Sequence, residues 1–134
     1  MAVLRHDTVP IRVSEDIVRV RRIVREYSIA QGFSLVDQTK IVTAASELAR
    51  NTMEYGLGGD VLVEMLNDAD RRGLRLTFQD KGPGIPDIEA ALRDGFTTGA
   101  GLGLGLGGAK RLVNEFEIES KPGDGTRVSV TRWK

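Results

Sequence analysis

The 134-residue sequence contains no cysteine, which excludes disulfides, thiolate metal ligands and cysteine nucleophiles together. It has a single histidine, His6, so neither a histidine-based triad nor a multi-histidine metal site can be assembled. No charge of one sign prevails. The 19 Lys plus Arg balance 19 Asp plus Glu, and no overall field draws the chain to nucleic acid or to an anionic membrane surface. No apolar run approaches the roughly 18 residues that a membrane span requires. The N-terminus carries no apolar signal core, so the expectation is a cytoplasmic protein. Chemistry is left to carboxylates, amides, backbone groups and borrowed ions. The length suits one domain, residues 1–134, with one core.

Glycine is absent from Ala2 to Gln31, yet seven of the 16 glycines crowd between Gly95 and Gly108. Residues 8–13 (TVPIRV) read as a short edge strand, because Pro10 cannot donate to a ladder. Ser14 reads as an N-cap with Glu15 and Asp16 in the first turn, and Ile17, Val20, Val24 and Tyr27 recur at helical spacing up to the stop at Gly32. Ser34 with Asp37 resembles a capping box that opens a second helix through Ile41, Ala44, Ala45, Leu48 and Thr52 to Tyr55. Residues 61–66 and 74–79 are predicted strands joined by a longer polar loop. A short helix from Asp87 to Arg93, a helix from Leu106 to Phe116, and strands over 116–120 and 126–133 complete the pattern. The expected class is α+β, with a mainly antiparallel sheet and helices on one face.

Three constellations carry chemistry. Glu47, Asn51 and Tyr55 are spaced four apart and share one stripe of the second helix. The carboxylate and amide suit a hard cation beside a group that polarises a hydroxyl, although an ordinary solvated helix face has the same spacing. DKGPGIPD, residues 80–87, follows a strand. There Asp80 can accept an amino proton from a base while Gly82 and Gly84 let a flat ring approach the backbone, and a plain tight turn would also use Pro83 and Gly84. GAGLGLGLGGAK, residues 99–110, offers bare backbone N–H groups to phosphate and can deform as a lid. It is not a Walker A loop, since Lys110 follows Ala109 and precedes Arg111. Gly103, Gly105 and Gly108 match GxGxxG without the preceding strand that a dinucleotide fingerprint needs. Arg19, Arg22 and Arg25 make a small basic stripe on the first helix, read as solvated surface or as a protein-contact face.

The order of the pieces adds to each of them. ELARN on a helix, DKGPGI after a strand, GAGLGLGL before a helix and GDGT before the last strand resemble the boxes of the GHKL (Bergerat-fold) superfamily of gyrase, Hsp90, histidine kinases and MutL. SELARN, KGPGIPDI, DGFTTGAGLGLGL and KRLVNEF are similar to the small bacterial partner-switching serine/threonine kinases and anti-sigma factors, in particular the switch kinases of the stressosome. That resemblance implies a two-layer α/β sandwich holding ATP and Mg²⁺. It implies Glu47 as general base and Asn51 as the Mg²⁺ ligand, with Asp80 reading the adenine amino group and Gly82, Gly84 and Ile85 lining the adenine slot. Gly99, Gly101, Leu102, Gly103, Leu104 and Gly105 would cover the phosphates, and Thr126 would support the adenine end.

The same resemblance implies a STAS-domain antagonist as substrate, a phosphatase or sigma factor downstream, and a homodimer as one allowed assembly. Between Gly95 and Gly108 no Lys or Arg is present, so the charged lid residue of some superfamily members is missing, with Arg93 and Lys110 flanking the gap. An ATP-gated binding module such as an anti-sigma factor is the alternative to a kinase. A stand-alone histidine-kinase catalytic domain fits less well, because no dimerising helix with a phospho-acceptor His is present.

Overall fold

Along residues 61–65 and 74–79 buried side chains alternate with more exposed ones, and period-two alternation gives a sheet one wet and one dry face. The computed structural model describes residues 1–93 and 105–134. Its strands are β1 (Ala2–Ile11), β2 (Gly59–Asp68), β3 (Arg71–Asp80), β4 (Glu115–Lys121) and β5 (Gly125–Trp133). They form one sheet in the order β1-β2-β3-β5-β4, with all four pairings antiparallel. The helices are α1 (Ser14–Ala30), α2 (Leu35–Glu54), α3 (Ile88–Ala91) and α4 (Leu106–Arg111).

The dry face presents Val9, Ile11, Val61, Val63, Leu74, Leu76, Phe78, Val128 and Val130 to Val20, Val24 and Tyr27 of α1 and to Ile41, Ala44, Ala45 and Leu48 of α2, all buried. Each fully buried Val or Leu contributes about 1.5–3 kcal/mol by leaving water. The run of alanines lets α2 lie close to the sheet. The opposite face carries Thr8, Glu64, Arg75, Thr77, Gln79, Glu117, Arg127 and Ser129 around a broad, open depression. Its Glu64 and Arg75 are joined at 2.8 and 3.1 Å by a two-pronged ion pair.

Four local expectations are corrected. β1 runs from Ala2 rather than from residue 8, because β2 extends to Asp68 and provides a ladder from Gly59 to Asn67 for it to pair with. The loop between β2 and β3 shrinks to Ala69 and Asp70, since Asp68 pairs with Arg71 and Ala69 takes the left-handed conformation at φ 54°. Val13, not Ser14, is the N-cap of α1. The Asp16 carboxylate reaches back to the N–H groups of Arg12 and Val13 at 2.9 and 3.1 Å, which holds it below the usual carboxylate range. α4 stops at Arg111 instead of Phe116, because Phe116 joins the ladder opposite Val130.

Ser34 caps α2 as expected, accepting the Asp37 N–H at 3.1 Å. Asp37 in turn takes the Arg132 guanidinium at 2.6 Å, and Arg132 donates to the Leu112 carbonyl at 2.9 Å. One side chain of β5 thereby ties the start of α2 to the exit of α4. No helix among the described residues is long and apolar enough to cross a membrane.

Candidate functional site

The C-terminal half of α2 lies over the end of the sheet where β3 finishes at Asp80 and β5 begins at Gly125. Between them is a narrow cavity with apolar walls from Leu48, Phe78, Ile85, Leu106 and Val128 and polar groups from Asn51, Thr52, Tyr55, Asp80 and Thr126. A mostly apolar slot with a few convergent polar groups is the general form of a small-molecule site. In this conformation about 20 Å³ of it is open to water, with Leu106 at the start of α4 filling one side.

Asp80 marks the polar end. Its Oδ1 accepts the N–H of Gly82 at 2.9 Å and that of Thr126 at 3.2 Å, so the loop after β3 and the start of β5 both fix the carboxyl group. Burial raises its pKa above the ordinary carboxylate value, opposed by those two backbone N–H donors. A half-buried carboxylate with one oxygen held by backbone is a directional acceptor for an amino group.

The loop after Asp80 is held from two sides. The Tyr55 hydroxyl donates to the Gly84 carbonyl at 3.0 Å. The Ser120 hydroxyl accepts the Ile85 N–H at 2.7 Å, donates to the Gly125 carbonyl at 3.0 Å and lies 2.8 Å from the Thr126 hydroxyl. Because Ser120 has one proton and spends it on Gly125, the Thr126 hydroxyl is the donor in that last pair. Gly84 has φ 78°, and a Cβ there would overlap the Lys121 carbonyl, so only glycine fits between loop and β4.

The stripe predicted on α2 is present, but its members diverge in environment. Asn51 and Tyr55 border the cavity, whereas Glu47 sits outside it with its side chain 38% exposed. Glu47 Oε1 accepts from Arg50 at 3.2 Å. Its Oε2 faces the backbone of Gly105, where a Cβ would lie 2.7 Å away. Gly105 adopts φ 64° as the N-cap of α4, so the carboxylate abuts a position that glycine alone occupies without strain.

The structure thus brings together Asn51, Asp80, Gly82, Gly84, Ile85 and Thr126, with Glu47 and Gly105 adjoining them. Gly99, Gly101, Leu102, Gly103 and Leu104 lie outside the described residues. Sequence reasoning missed Ser120 and the anchoring role of Tyr55. Neither has a local signal: Ser120 is 35 residues from Ile85, and Tyr55 is 29 from Gly84.

Among the described residues no three His, Cys, Asp or Glu side chains gather to cage a metal. The amide of Asn51 on the cavity wall and the carboxylate of Glu47 one turn earlier on α2 are donor types that fit a hard cation such as Mg²⁺, which keeps most of its shell as water and substrate oxygens.

The family described as histidine kinase-, DNA gyrase B-, and HSP90-like ATPase matches residues 36–134. Over 118 residues the chain is 45% identical to the serine/threonine-protein kinase RsbT of Bacillus subtilis (strain 168), covering 88% of this chain and 89% of that one. It is 30% identical over 118 residues to the anti-sigma F factor of Thermoanaerobacter sp. (strain X514), with 84% and 82% covered. The solved structure of the RsbU and RsbW domains of Rv1364c from Mycobacterium tuberculosis has the same fold, with a TM-score of 0.67 at 22% identity over 97% of this chain. The chain spans 33% of that longer protein. With the slot, its carboxylate floor and the Glu-Asn stripe in place, the chain belongs to the histidine kinase-, DNA gyrase B- and HSP90-like ATPase family, in the branch of small serine/threonine kinases and anti-sigma factors.

Proposed function

We propose that this chain, as one ATP-binding domain, is a serine/threonine protein kinase of a partner-switching module that phosphorylates a serine on a STAS-domain partner. The observation that carries the reading is Asp80, a half-buried carboxylate fixed by two backbone N–H groups at the end of an apolar slot. Such an acceptor suits the exocyclic amino group of adenine, with Ile85 against the ring, Gly82 and Gly84 letting it approach the backbone, and the Thr126 hydroxyl oxygen beside it. Entry of the ring requires Leu106 and the start of α4 to shift outward.

Asn51 would hold Mg²⁺ through its amide oxygen, and the ion would neutralise phosphate charge during transfer. Glu47 lies beyond the slot, at the side where α4 begins, and is suited to orient the substrate serine and accept its proton. In the transfer the serine Oγ forms a bond to the γ-phosphorus and its proton passes to the Glu47 carboxylate. The bond from the γ-phosphorus to the bridging oxygen breaks, and ADP leaves with that electron pair.

The 30% identity to an anti-sigma factor favours a second reading, in which ATP occupancy gates the grip on a partner and a phosphatase or sigma factor is bound downstream. The two are separated by incubating the chain with MgATP and a panel of STAS-domain proteins and weighing the products. One phosphoserine, lost on Ser→Ala at that site while binding survives, is the expected result. A tight ATP-dependent complex with no phosphate on the partner would establish the gated module instead.

A further inference from the structure

We infer that Arg50 is the cation that meets the terminal phosphate of the nucleotide, and that its ion pair with Glu47 is the resting position from which the phosphate draws it. The inference rests on the ATP-dependent reading above. Phosphoryl transfer spreads negative charge over the γ-phosphate oxygens, and catalysis of it depends on positive charge placed there. Among the described residues lining the slot Asp80 is the charged one, and it is an acid. The sequence from Asp94 to Leu104 contains neither Lys nor Arg. Lys110 and Arg111 stand in the last turn of α4, where the helix dipole favours cations, and not at its first residues beside Gly105.

Arg50 is differently placed. It precedes Asn51 directly, and its Nη1 reaches Glu47 Oε1 at 3.2 Å while the other oxygen of the same carboxylate faces Gly105. The guanidinium is thus one carboxylate away from the backbone at which α4 begins. An ion pair whose members are 48% and 38% exposed is weak and readily exchanged. A terminal phosphate offers a higher charge and three oxygens to a planar fork, which is the partner guanidinium binds best.

Exchange has a second consequence. While Arg50 holds Glu47, one carboxylate oxygen is engaged and its negative charge is partly neutralised, so the base is restrained. Transfer of the guanidinium to the phosphate uncovers the base at the moment the donor arrives. ADP lacks the γ-phosphate and leaves the pair closed. Arg50 therefore distinguishes ATP from ADP and couples that distinction to Glu47.

The test is calorimetric titration of ATP and ADP, each with Mg²⁺, against wild type, Arg50→Ala, Arg50→Lys and Glu47→Gln, with circular dichroism confirming the fold. Arg50→Ala should weaken ATP about ten- to a hundredfold, the range of a charge-assisted contact, and ADP by less than about twofold. Arg50→Lys should fall between, keeping the charge without the fork. Glu47→Gln releases Arg50 from its competitor and should tighten ATP without changing ADP. Equal loss of both nucleotides in Arg50→Ala, or no loss of either, overturns the inference while leaving the kinase reading intact. A folded wild type that binds neither nucleotide overturns the kinase reading itself, and this inference with it.

Discussion

The Tyr55 hydroxyl donates to the carbonyl of Gly84 at 3.0 Å, joining the last turn of α2 to the loop that follows β3. One wall of the slot is thereby set by the helix that also carries Glu47 and Asn51. Tyr55→Phe removes this bond and leaves the ring in place. The expected cost is about 0.5–1.5 kcal/mol of stability. Nucleotide affinity should fall too, because the loop that lines the slot loses an anchor. Urea unfolding and ATP titration of the same variant measure both, and unchanged values in each would show that the bond does not hold the loop.

Asp80 should set affinity against stability. Its pKa is raised by burial, so between its unfolded and folded values the native state binds more protons than the unfolded state, and stability falls as pH rises through that window. Asp80→Asn removes this desolvation penalty, while its remaining oxygen can still accept from Gly82 and Thr126. The apo variant should melt at or above the wild-type temperature at neutral pH and lose the fall in stability across the window. ATP binding should weaken about ten- to a hundredfold, the value of a charge-assisted bond. A variant that melts lower and binds ATP as wild type does would contradict both halves.

Glu47 and Asn51, four residues apart on α2, should separate kinetically. Glu47→Ala is expected to cut phosphotransfer by about 10² to 10⁴ while MgATP still binds. Asn51→Ala should weaken Mg²⁺-dependent binding itself, seen as a loss of the affinity gained when the ion is added. Wild-type transfer by Glu47→Ala would place the base elsewhere.

At acid pH the N-terminus of α1 should lose stability. Asp16 is held below the ordinary carboxylate range chiefly by the Arg12 N–H and then by the Val13 N–H. A lowered native pKa stabilises fully above the unfolded value, and that stability is lost as pH falls through the folded value. Denaturation midpoints measured from neutral pH downward should drop for wild type below the unfolded pKa and drop less steeply for Asp16→Asn. Parallel curves would remove Asp16 as the cause.

Most of the fold was legible in short stretches. Ser34 before an apolar 3.6-residue period, alternation through 61–66 and 74–79, and Pro10 in an edge strand each express a preference that a few neighbouring residues decide, and the structure has them. The resemblance carried by the order of the boxes named Asn51, Asp80, Ile85 and Thr126 together, and the fold brings these four to the lining of one slot. What only the tertiary structure decided is which groups hold the site and where elements end.

β1 is longer than its own residues suggest because β2 offers a partner ladder, and α4 is shorter because Phe116 is taken by β5. Asp16 displaced Ser14 as the capping side chain because its carboxylate reaches two N–H groups at once. Ser120 supports Ile85, Gly125 and Thr126 from β4, and Glu47 faces Gly105 across 58 positions of chain. Contacts of that separation leave no periodic mark in the sequence, since a hydroxyl on a strand end reads the same whether it meets water or a distant backbone N–H. Their partners are chosen by how α2, β3 and β5 pack, which is a property of the whole core.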